Sequence, residues 1–176
     1  MSWITEIDEA DADGELRDVY AELMQQRGKV ANIMRAHGAN PGALRAHLNL
    51  YMHLLFGASK LSRAEREAIG VVVSANNNCT YCVSHHAEAL SRYETDNEKL
   101  RRIMAGEDFG HLTDRSEKLL TYAAKLTRNP SAMTREDIDT LRKAGLGDDE
   151  ILDVNLVTSY FNFVNRIALG LGVKFS

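Results

Sequence analysis

Ser62-Arg63-Ala-Glu65-Arg-Glu67-Ala-Ile-Gly70-Val-Val-Val-Ser74-Ala-Asn76-Asn-Asn78-Cys79-Thr-Tyr81-Cys82-Val-Ser-His85-His86 is the stretch on which the fold of this chain turns. Ser62 followed three positions later by Glu65 is a capping box, so a helix opens at Arg63. It begins charged and becomes apolar through Ala68 to Val73. Periodicity alone would also allow a short buried strand for the three valines, but the cap and the length favour a buried helix to about Asn77. The Asn76–Asn78 triplet is a breaker and a source of N-caps. A second helix is expected from about Cys79 to Tyr93, and the two together form an antiparallel hairpin carrying a C-x-x-C motif.

Outward from the hairpin the periodicity stays helical. Leu16, Val19, Tyr20 and Leu23 recur on one face of a segment from Gly14 to Arg27, with Gly28 as its stop. A short piece spans Ala31 to His37, and Pro41 suits the first turn of a helix running to about Phe56. Further helices are expected from Asp96 to Met104 and from Thr113 or Asp114 to before Asn129-Pro130. Two more follow, from Thr134 (a second capping box with Asp137) to Gly145 and from Asp148 or Asp149 to Gly170. No strand alternation or repeat occurs. The expected architecture is all-α, a single domain over residues 1–176 with eight or nine helices.

The 176 residues suffice to bury a core without staples, and the net charge of −4 argues against a nucleic-acid or polybasic membrane surface. No apolar run is long enough to span a bilayer, and the acidic opening MSWITEIDEADADGEL does not read as a signal peptide. The 2 cysteines, Cys79 and Cys82, would close too small a loop to act as a scaffold. A reducing cytoplasm is therefore expected, where a close pair is more often catalytic or metal-binding.

On a helix, Cys79, Cys82 and His86 fall within an arc of roughly 60°. The pair is spaced to form a disulfide, the imidazole lies one turn beyond Cys82, and a helix N-terminus favours thiolate. Counting from the Asn triplet puts Glu67 level with His86 across the hairpin. There the carboxylate can hold the imidazole in one tautomer or carry a proton for it, and an apolar setting would raise the Glu67 pKa. By the thioredoxin pattern Cys79 would be the more acidic sulfur, whereas adjacency to His86 favours Cys82.

Glu67, Cys79, Cys82 and His86, in Glu-x11-Cys-x2-Cys-x3-His spacing, resemble the alkylhydroperoxidase D core of the carboxymuconolactone decarboxylase-like superfamily. Leu61 to Glu67, Cys79 to Ala87 and the closing Phe161-Asn-Phe-Val-Asn-Arg166 are similar to its peroxidase-related branch. The core resemblance covers roughly residues 40–128. It implies an all-helical homo-oligomer, a trimer or hexamer, acting as an antioxidant thiol peroxidase without haem, flavin or metal cofactor. Carried onto this chain, it makes Cys82 the peroxidatic thiol and Cys79 the resolving one, with Glu67 and His86 as a proton relay. The implied partners are a peroxide and an external dithiol or dithiol protein. The founding member has a histidine where this chain has Tyr81, and His85 is extra; both are second-tier residues.

Three further features are weaker. Asn155, Ser159, Asn162 and Arg166 form a polar stripe on the last helix, and Asn162 and Arg166 are second-tier candidates for a pocket wall. His47 and His53 read as ordinary helix residues, and the Tyr51 to Phe56 stretch as core or subunit interface. The alternative for the main site is a helical binding protein with structural zinc on Cys79, Cys82, His86 and Glu67. A lactone decarboxylase would leave the cysteine pair unexplained.

Overall fold

The computed structural model describes residues 2–174, and all the regular structure among them is helical. The helices are α1 (Gly14–Arg27), α2 (Asn32–Arg35), α3 (Pro41–Phe56), α4 (Arg63–Asn76), α5 (Thr80–Leu90), α6 (Asn97–Ala105), α7 (Asp114–Arg128), α8 (Arg135–Lys143) and α9 (Asp148–Gly170), with a 3-10 turn at Pro130–Ala132. The all-α expectation holds, and the three valines are helical. Differences in bounds are small. α5 ends at Leu90 rather than Tyr93, and α2 is a single turn, because Ala36 to Gly38 continue as turns. No described helix is long and apolar enough to cross a membrane.

The chain divides into two compact units, Met1–His53 with Arg166–Ser176, and Leu54–Asn165. In the first, α1 buries Leu16, Val19, Tyr20 and Leu23 and ends on Gly28 at φ 73°. Its N-terminal segment is pinned by Trp3 N–H donating to Leu171 O at 2.7 Å and by Tyr20 Oη donating to Ile7 O at 2.9 Å. Here His47 is not an ordinary helix position. It is buried, and its Nδ1 lies 3.4 Å from His37 Nε2.

The second unit is organised around α4, which packs chiefly against α5, then α7 and α6. The capping box forms as expected, with Glu65 N–H on Ser62 Oγ at 3.2 Å and Ser62 N–H on Glu65 Oε2 at 2.7 Å. Arg115 then clamps the start of α4 to that of α9, reaching Glu65 at 2.7 Å and Glu150 at 2.8 Å. Gly70 lets α9 approach. A Cβ there would stand 2.6 Å from the Phe161 ring, so that aromatic lies directly on the α4 backbone.

Candidate active site

The Asn triplet builds the turn between α4 and α5, and its three members do different things. Asn76 Nδ2 donates to Val72 O at 2.8 Å and to Gly106 O at 2.9 Å, tying the end of α4 to the end of α6. Asn77 reaches α9 through hydrogen bonds of 3.0 Å to Asn162 and Asn165. Asn78 adopts φ 56°, left-handed backbone that asparagine tolerates better than most residues, and so reverses the chain. The N-cap of α5 is Cys79 rather than an asparagine. Its N–H returns to Ser74 O at 2.9 Å, closing the turn.

This turn brings Glu67 and His86 together. His86 Nδ1 and Glu67 Oε2 are 2.7 Å apart, and the carboxylate is 1% exposed. The other oxygen, Oε1, accepts from the Arg63 guanidinium, whose Nη1 also donates to Leu55 O at 2.9 Å and whose plane lies 3.7 Å over the Phe56 ring. Burial pushes the Glu67 pKa up, as expected for an apolar setting, but the His86 and Arg63 contacts outweigh it and the net shift is downward. The expected rise is thus corrected: Glu67 is an ionised acceptor. An ionised carboxylate can only accept, so His86 donates through Nδ1 and Nε2 is left as the basic nitrogen.

Cys79 and Cys82 are both free thiols and both buried. The Cys82 thiol and backbone N–H donate to the Cys79 sulfur, and this holds the Cys79 pKa down. The Cys82 thiol is pushed up by that same bond and by burial, while a hydrogen bond from Asn165 works in the opposite direction. In the reduced pair Cys79, at the helix N-cap, is therefore the more acidic of the two sulfurs.

The second-tier residues separate. Tyr81 and His85 stack with ring centroids 6.4 Å apart, and His85 meets His86 edge-on at 5.1 Å. Phe161 covers the other side of His86 at 4.5 Å. Asn162 is part of an amide network with Asn77, Thr127 and the Thr158 carbonyl. Arg166 is exposed and lies in the other unit. The polar stripe on α9 divides: Ser159 and Arg166 are exposed, while Asn155 and Asn162 are half-buried, and Asn155 bonds Tyr122 Oη at 2.9 Å. Two participants had weak sequence signals: Arg63, noticeable only as an i,i+4 partner of Glu67, and Asn165, which lies off the stripe. Among the described residues no cluster of three or more His, Cys, Asp or Glu side chains is arranged to hold a metal ion. With both Glu67 oxygens committed, the four-ligand zinc set has no geometric support.

Residues 41–125 match the model of the carboxymuconolactone decarboxylase family. An uncharacterised peroxidase-related protein from Silicibacter sp. TM1040 is 32% identical, with 97% of this chain and 91% of that one covered and a TM-score of 0.84. This chain belongs to the carboxymuconolactone decarboxylase family. It is also similar to an uncharacterised peroxidase-related protein from Ralstonia eutropha JMP134 described as an alkylhydroperoxidase AhpD core. There the identity is 25%, with 99% of this chain and 92% of that one covered and a TM-score of 0.89. The debrominase Bmp8 shares the fold at 18% identity, over 98% of this chain and 91% of its own, with a TM-score of 0.82.

Proposed function

We propose that this family member is a thiol-dependent peroxidase that reduces alkyl or hydrogen peroxides through a Cys79–Cys82 disulfide. The observation that carries the reading is a pair of free, buried thiols three residues apart beside an oriented histidine–carboxylate couple. The peroxidase-related names of two relatives point the same way. A Cys82 thiolate attacks the peroxide, the O–O bond breaks, and the alkoxide takes a proton to leave as alcohol, giving Cys82 sulfenic acid. Cys79 thiolate then attacks that sulfur, and hydroxide leaves as water once protonated. An external dithiol reduces the disulfide by exchange. The sum is peroxide plus dithiol giving alcohol, water and disulfide.

In this cycle His86 Nε2 receives and returns the proton, while Glu67 stays ionised and fixes the tautomer. Cys79 ionises first, so Cys82 becomes the nucleophile when its proton passes to Cys79. The reading includes a homo-oligomer, a trimer or hexamer, working in a reducing cytoplasm. The test is peroxide consumption with a panel of dithiol donors, alongside thiol titration. Turnover with loss of both free thiols per chain on oxidation is expected. Retention of either thiol, or stoichiometric zinc released by cysteine substitution, rejects the peroxidase.

A further inference from the structure

A cavity opens in the second unit where α4, α5, α6 and α7 meet, and no step above uses it. Its volume is about 120 Å³. It lies beside the relay without sharing it: Ala68 follows Glu67, and Leu90 is one turn beyond His86, but neither Glu67 nor His86 is in its wall. The floor is apolar, with Ala68, Leu90, Leu119 and Leu120 all buried. The mouth is polar, with Glu65 and Glu94 half-buried and Tyr93 exposed. Among the described residues no Lys, Arg or His side chain lines it.

Floor and mouth select for different things. An apolar floor gives water no partners, and a cavity of about 150 Å³ lined by Leu, Ile and Phe stays dry and takes up benzene or xenon. The present volume suits an apolar group of ring size or slightly less. The two acids at the mouth are not equal. Glu65 is committed, with Oε2 accepting from Ser62 N–H at 2.7 Å and Oε1 paired with Arg115 at 2.7 Å. Glu94 Oε1 accepts only the Asp96 N–H, at 2.9 Å, so its charge is balanced by no partner in that bond and the mouth is net negative. We infer that this cavity is a binding site for a small amphiphilic cation, with an apolar group of up to about six carbons on the leucine floor and an ammonium head at Glu94. The inference goes beyond the peroxidase reading and does not depend on it.

The test is methyl NMR of the full reduced chain titrated with benzylamine, benzyl alcohol and benzoate, which share a ring and differ in the head group. Benzylamine is expected to shift the Leu90, Leu119 and Leu120 methyl resonances saturably. It should bind roughly tenfold more tightly than benzoate, with the alcohol between them. Glu94→Gln should bring amine and benzoate to within about threefold, and Ala68→Leu, which fills the floor, should abolish binding of all three. Absence of a saturable shift, benzoate binding as tightly as benzylamine, or an unchanged amine preference in Glu94→Gln overturns the proposal. So does unchanged benzylamine affinity in Ala68→Leu. Glu94 lies at the half-buried mouth, so Glu94→Gln decides if the leucine variant fails to fold. No peroxide is present in these titrations, and a chain that binds benzylamine but consumes no peroxide rejects the peroxidase and keeps the cation site.

Discussion

Glu67 and His86 stand 19 positions apart in sequence and 2.7 Å apart in space, with the carboxylate sealed from solvent. Replacing Glu67 with Gln keeps the shape but removes the charge and presents an amide to Nδ1. Peroxide consumption is expected to fall by roughly 10²–10⁴ while the thiol count is unchanged. Activity within a fewfold of the parent rules out a relay through this pair.

Arg63 is a positioning residue for Glu67. The guanidinium helps to hold the carboxyl pKa down, so its removal raises that pKa. In Arg63→Met the acid limb of the pH–rate profile should move to higher pH, while Arg63→Lys should recover part of the shift because it keeps the charge without the planar fork. Identical acid limbs in all three proteins leave Arg63 as packing over Phe56 alone.

The two sulfurs should respond differently. Cys79, the more acidic of the pair, should be alkylated first in the reduced protein at neutral pH. With peroxide, Cys82→Ser is expected to abolish consumption, whereas Cys79→Ser should accumulate one trappable sulfenic acid per chain. Sulfenic acid trapped on Cys79 in the Cys82→Ser protein reverses the assignment of attacker and resolver.

Gly70→Ala places a methyl group 2.6 Å from the Phe161 ring, a contact that neither helix can relieve by rotating an end group. Overpacking of this kind costs about 1–3 kcal/mol, or roughly 3–10 °C in Tm. Because Phe161 also covers His86, activity should drop with stability. Unchanged melting would mean that α9 yields freely at this point.

His47 couples the first unit to pH. Burial, with His37 beside it, lowers its pKa from 6.5 to about 4. The folded pKa lies below the unfolded one, so the stabilisation is complete above pH 6.5 and is lost as the pH falls toward 4. A loss of about 3 kcal/mol across that window is expected from the size of the shift, and His47→Leu should flatten it. Urea melts at several pH values measure the slope.

Most of the helical plan could be read from the sequence because caps, breakers and apolar spacing are local signals. Ser62, Glu65, Gly28 and Pro41 each announce their position without a neighbour. Counting residues along the hairpin was enough to pair Glu67 with His86, since a tight reversal leaves little freedom of register. The sign of the Glu67 shift was not legible. It depends on how far the His86 contact outweighs burial and on Arg63 turning inward at its own i+4 neighbour, where an arginine on a helix as readily turns outward to solvent. Asn165 was hidden for a different reason: its contacts are with Ser74 and Asn77, residues distant in sequence, and periodicity within α9 cannot reveal them. His47 likewise shows its burial only once His37 is placed beside it.

The three asparagines look interchangeable on the page, but the turn they form acts as a gauge for the whole site. A residue added to or taken from it would change the register in which α5 starts against α4. His86 would then move away from Glu67, and no side-chain exchange within the site could bring it back. Loop length, more than the chemistry of any one asparagine, is the quantity that keeps His86 level with Glu67.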